Sequence, residues 1–188
     1  EGRIVVTLFE RYHKAPLPLP EFVSSRLLFM KGQCLRILSS LLQKGKPVFV
    51  FAPTIESGKE LYSFLSLFLP GGSFVCSQSE NRAVDIERFK AGELRYLVTT
   101  SILERGVTVK DLQVIVYKAD DEIYNQATLV QIAGRVGRKI GATGGKVYFI
   151  GEEKNSFVKG AIDEIRHYNE EAEENRICLS CFETLKKD

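Results

Sequence analysis

The chain has 188 residues, 44% of them hydrophobic, and a formal net charge of only +2. That excludes a disordered polymer and a broadly basic nucleic-acid coat, although a local basic groove remains compatible with it. No apolar run reaches the roughly 18 residues that a membrane-spanning helix needs, and the acidic excess gathers late, at Glu170, Glu171, Glu173 and Glu174.

RIVVTLF (Arg3 to Phe9) predicts a strand from its β-branched residues. Pro16, Pro18 and Pro20 predict an extended connector. Val23 to Gln43 carries Leu27, Leu28, Leu35, Leu38, Leu41 and Leu42 at helical spacing, and Lys44-Gly45-Lys46 ends that helix. VFVFA (Val48 to Ala52) is a short, wholly apolar run, the signature of a buried parallel strand. Thr54 to Phe68 predicts a helix with Leu61, Phe64, Leu65 and Phe68 on one face. SFVC (Ser73 to Cys76) predicts a strand, and Asn81 to Ala91 a helix anchored by Val84, Ile86 and Phe89. RYLVTT (Arg95 to Thr100) and LQVIVY (Leu112 to Tyr117) predict strands, Asn125 to Val136 a helix, KVYFI (Lys146 to Ile150) a strand, and Lys154 to Glu174 a long terminal helix. Alternating strands and helices with short links predict one α/β domain, a mostly parallel sheet with helices on both faces.

Cys34, Cys76, Cys178 and Cys181 do not form a secreted disulfide framework, and no signal peptide opens the sequence. The expectation is an intracellular protein with reduced thiols. Cys178 and Cys181 supply half of a four-ligand zinc pattern. They read as two thiols near a frayed tail, or as a site completed by a partner or another copy. The chain opens at Glu1 without a methionine, so it is expected to be a piece of something longer.

Ligands of open α/β sheets bind at the carboxyl ends of the strands. There this sequence places Pro53 and Thr54, then Ser77, Gln78 and Ser79, then Thr99, Thr100 and Ser101. Hydroxyls and turn N–H groups suit phosphate oxygens. The alternative is that the hydroxyls cap the following helices. QIAGRVGR (Gln131 to Arg138) is the strongest segment. On a continuous helix, Gln131, Arg135 and Arg138 share one face, and Gly134 and Gly137 keep the neighbouring surface low. Glycine inside a helix costs about 1 kcal/mol against alanine. That cost is offset if another body comes close enough to meet two guanidinium groups, whose planar forks match a triphosphate.

VFVFAPT, SENRAVDIERFKAGELRYLVTTSILERGVTV and QIAGRVGR together resemble motifs IV, V and VI of the second RecA-like domain of superfamily 2 helicases, over about residues 47–150. The incoming RYHKAPLPLPEF, LERGVTV and LVQIAGRVGR are similar to the ComFA family of competence-associated DNA-uptake ATPases. The resemblance implies that Arg135 and Arg138 act as catalytic arginine fingers on ATP. Gln131, Gly106 and Thr108 would lie near that nucleotide, and Pro53, Thr54, Ser77, Arg82, Thr99 and Thr100 would track a DNA backbone. Thr108 stands where many relatives have aspartate, and Ser79 where many have glutamine.

It further implies ATP and Mg²⁺ as cofactors, both held mainly by a first RecA-like domain. The expected partners are single-stranded DNA, that first domain and other competence proteins, in the cytoplasm at the inner face of the membrane. The expected organisation is a lead-in over 1–46, the helicase C-terminal RecA-like domain over 47–177 and a tail over 178–188. No GxxxxGK[ST] loop and no acidic box occurs in the sequence, so the chain alone is expected to be inactive. The remaining readings are a DNA-repair or RNA helicase of the same superfamily, and a degenerate RecA-like module that only binds partners.

Overall fold

The computed structural model describes residues 16–100, 109–137 and 145–184, the last of these with side chains to 173. In chain order the elements are β1 (Glu21–Ser24), α1 (Leu27–Gln43), β2 (Val48–Ala52), α2 (Ile55–Ser66), β3 (Gly72–Val75), α3 (Arg82–Lys90), β4 (Tyr96–Thr100), β5 (Gln113–Tyr117), α4 (Gln126–Ala133), β6 (Val147–Gly151) and α5 (Ser156–Thr184). The strands form one sheet in the order β1-β6-β5-β2-β4-β3, and every neighbouring pair is parallel. The α/β class with a parallel sheet is thus as the sequence predicts.

The central strand explains the two-layer core. Val48 and Val50 of β2 face α1 and α2, together with Tyr96, Val98 and Ile115. Phe49 and Phe51 face α3, α4 and α5, together with Leu97, Val114 and Val116. Both sides of the strand are covered, so it reads as an unbroken apolar run. Each such side chain contributes roughly 1.5–3 kcal/mol by its burial. The Phe49 ring stacks on Phe89 of α3 with centroids 4.9 Å apart. Gly58 lets α2 close on β3, because a Cβ there would lie 2.6 Å from Phe74 Cε2.

Several boundaries differ from the sequence expectation. Strand β1, which pairs with β6, occupies residues assigned to the connector and to the first turn of the helix. Its four residues carry no apolar run of their own; its partner strand defines it. Helix α1 then starts at Leu27 and buries Met30, Cys34, Ile37, Leu38, Leu41 and Leu42, leaving Leu27 and Leu28 exposed. It closes as foreseen, with Gly45 at φ +67° donating to the Leu42 carbonyl and Lys46 to the Leu41 carbonyl. Phe68 and Val84, expected on buried faces, are also exposed. Helix α5 continues past Glu174 to Thr184. The strand expected over Arg3 to Phe9 lies outside the described residues.

Candidate nucleotide and nucleic-acid sites

Strands β2, β4 and β3 lie side by side, with Ala52 opposite Thr100 and with Thr99 opposite both Phe51 and Val75. The residues that follow them therefore share the carboxyl-terminal edge of the sheet. That edge gathers Pro53, Thr54, Ser77, Thr99 and Thr100, with Arg82 at the first position of α3. Thr54 and Ser77 are exposed, Arg82 is half-buried, and Pro53 is buried. Thr99 is 2% exposed, and its hydroxyl donates to the Thr100 carbonyl at 3.2 Å. The Thr54 hydroxyl caps α2, accepting from the Ser57 N–H at 3.0 Å. Capping uses an acceptor lone pair and leaves the hydroxyl proton available to a phosphate oxygen. The two readings of this residue are therefore compatible.

The same rim holds a group that sequence reasoning passed over. Burial pushes the Cys76 thiol up. The Ser79 hydroxyl at 3.4 Å, the backbone N–H groups of Gln78 and Ser79, and the Lys59 charge outweigh this and bring it below its ordinary value. Ser79 also closes the turn by accepting from the Cys76 N–H at 2.9 Å. Converging N–H groups and a cation make this corner favour negative charge. Lys59 lies within the helix that the sequence predicts over Thr54 to Phe68. Its place on the second turn of a helix that begins at this edge was the available signal.

The arginine-bearing segment differs from its expected form. Helix α4 opens with Asn125 accepting from the Thr128 N–H at 2.9 Å and ends at Ala133, with Gly134 as its C-cap. Arg135 and Val136 then donate to the Ile132 and Ala133 carbonyls at 3.1 and 3.2 Å, a tighter three-residue spacing. Gly137 has φ +69°, a left-handed backbone that glycine adopts without steric penalty. The helical face expected to run from Gln131 through Arg138 thus stops short of Gly137, and Gly137 ends the turn where the sequence had placed a costly helix interior. Gln131 is exposed on α4, and Arg135 is half-buried on the turn. Arg138, Gly106 and Thr108 lie outside the described residues.

Helix α4 is fastened to α5. Gln126 donates to Glu164 Oε2 at 2.5 Å and Tyr168 to Glu164 Oε1 at 2.5 Å. The Tyr168 and Gln126 hydrogen bonds hold the Glu164 carboxyl below its ordinary range. A Cβ on Gly160 would overlap the Gln126 carboxamide, so a larger residue there must displace that side chain from its present place.

The two candidate sites stand at opposite ends of the sheet. Val136 fills the space beside Gly145, and a Cβ on Gly145 would also lie 2.9 Å from the Leu112 carbonyl. Gly145 and Leu112 precede β6 and β5, so the arginine-bearing turn lies at the amino-terminal edge. Five strand residues separate the edges by about 17 Å. Val109 packs on the same core at that amino-terminal edge, while Thr100 stands at the carboxyl-terminal one. Among the described residues no three His, Cys, Asp or Glu side chains gather as a metal site, and no helix is long and apolar enough to cross a membrane.

Residues 33–140 match the family of the helicase conserved C-terminal domain, and the chain belongs to that family. It is 34% identical over 176 residues to competence protein ComFA of Streptococcus pneumoniae, covering 89% of this chain and 41% of that protein. It is 35% identical over 147 residues to competence protein ComFA of Bacillus subtilis, covering 74% of this chain and 32% of that protein. The chain thus spans less than half the length of these relatives. Its fold is RecA-like: S. cerevisiae Dbp5 bound to RNA and ADP BeF3 superposes with a TM-score of 0.64 at 20% identity, covering 81% of this chain and 39% of that one.

Proposed function

We propose that this chain is the second RecA-like half of an ATP-dependent DNA translocase that acts in DNA uptake during competence. The observation that carries the reading is the separation of two anion-directed surfaces on one sheet. A rim with Thr54, Ser77, Arg82 and Lys59 suits a nucleic-acid backbone. The turn bearing Arg135, with Arg138 beyond it, suits a nucleotide presented by another domain. The similarity to the ComFA proteins supplies the DNA-uptake context.

In this reading Arg135 and Arg138 stabilise the charge that develops on the γ-phosphate, with Gln131, Gly106 and Thr108 alongside. ATP supplies the phosphoryl transfer when it is bound. In this reading ATP and Mg²⁺ are held mainly by the first RecA-like domain, which would supply the phosphate cradle. Closing and opening of the two halves would move the rim along single-stranded DNA. Backbone contacts make that grip independent of sequence and sensitive to salt. The working place is the cytoplasm, at the inner face of the membrane beside other competence proteins.

The test is ATP turnover by the full-length protein with single-stranded DNA, with RNA and with neither. Stimulation by DNA supports the reading. Stimulation by RNA alone would make it an RNA helicase, and no turnover under any condition would favour a module that only binds partners.

A further inference from the structure

Helix α4 is only two turns long, yet its last turn must hold Arg135 in place. Its first residue, Gln126, is tied to α5 through Glu164. A second tie reaches its other end. The Asn169 carboxamide of α5 takes both backbone polar groups of Leu17: Oδ1 accepts from the Leu17 N–H at 2.7 Å, and Nδ2 donates to the Leu17 carbonyl at 2.9 Å. Two opposed hydrogen bonds fix orientation as well as position, and a carboxylate could make only the first. Leu17 is half-buried on the core that contains Ala133, Val136 and Ile165. Its Cδ2 lies 4.0 Å from where a Cβ on Gly134 would stand. Gly134 is the residue directly before Arg135.

We infer that Asn169 is a positioning residue for the Arg135 turn, acting through Leu17, so that α5 braces α4 at both ends. The same clamp fixes the backbone at Leu17 against that turn. The inference rests on the proposed role of Arg135 toward a nucleotide.

The experiment compares Asn169→Leu, Arg135→Ala and the double variant in the full-length protein, with single-stranded DNA and ATP, alongside a thermal midpoint for each. Asn169→Leu should lower kcat about tenfold or more, as a displaced positioning group does. KM for ATP and DNA affinity should stay within about twofold. In the double variant Asn169→Leu should add almost nothing to Arg135→Ala, since both act on one interaction. Asn169→Asp, which keeps one of the two hydrogen bonds, should fall between. A folded Asn169→Leu with full kcat, beside an Arg135→Ala that has lost turnover, overturns the inference and leaves the site reading intact. Unchanged turnover in Arg135→Ala overturns both. If Asn169→Leu fails to fold, Leu17→Ala decides by the same outcomes, because it removes the side chain that stands beside Gly134 and leaves both backbone hydrogen bonds.

Discussion

The Asp120 carboxylate stands where a side chain on Gly151 would have to go: its Oδ1 lies 2.6 Å from the position of a Cβ there. Its Oδ2 accepts from the Glu152 and Glu153 N–H groups at 2.8 and 3.0 Å. This contact locks the ends of β5 and β6 together just ahead of α4 and α5, which carry the proposed nucleotide-facing turn and its brace. Gly151→Ala should therefore destabilise the fold by about 1–3 kcal/mol, the range for overpacking a close contact. Urea unfolding reads it, and an unchanged midpoint would show that Asp120 moves aside without loss.

Thr54 carries two separable roles, and three substitutions distinguish them. Thr54→Ala should cost about 1 kcal/mol, the usual value of a helix N-cap, and should weaken DNA binding as well. Thr54→Ser should preserve both. Thr54→Asp keeps the cap but places a carboxylate at the rim, so stability should hold while DNA affinity falls. Equal DNA affinity in the wild type and Thr54→Asp would remove this residue from the nucleic-acid surface.

Tyr124 is fully buried, and its hydroxyl is the one buried side-chain polar atom among the described residues without a hydrogen-bond partner. Burial, with the Asp121 charge added, pushes the phenol far above its ordinary value. Replacing an orphaned polar group by an apolar one of the same shape is neutral or favourable. Tyr124→Phe should gain up to about 1 kcal/mol, measured by thermal or urea unfolding. A clear loss would reveal a partner for the hydroxyl.

The Glu164 carboxylate gives the α4–α5 contact a pH dependence. Its folded pKa is lowered, by the Tyr168 hydroxyl first and Gln126 second, from an ordinary 4.5. The stabilisation is therefore complete above the unfolded value and is lost as pH falls through the folded one. Glu164→Gln should lack this part of the acid sensitivity, so the two stability curves should converge as pH falls below about 4.5. Curves that stay parallel into acid would show that the contact does not titrate.

The parts that the sequence made legible share a cause. Strands β2 and β4 to β6 are buried on both faces, and burial writes itself as apolar runs. Strand β1 has no such run because its identity comes from pairing with β6. Gly134 and Gly137 looked alike in sequence, but only Gly137 takes a left-handed backbone, and that conformation ends the turn before Arg138. The hydroxyls of Thr54 and Ser79 could be read as caps or as ligand contacts, since one residue type serves both. Lys59 and Cys76 meet at the rim from different elements, a juxtaposition that no local spacing encodes.

In the proposed function Arg135 acts on a nucleotide held elsewhere while the rim holds DNA. The most direct measurement is the single-stranded-DNA-stimulated ATP turnover of Arg135→Ala in the full-length protein, with DNA binding measured on the same sample. Turnover should fall by about a thousandfold or more, the scale of an arginine that stabilises phosphoryl transfer, with DNA affinity largely kept. Wild-type turnover in that variant would contradict it.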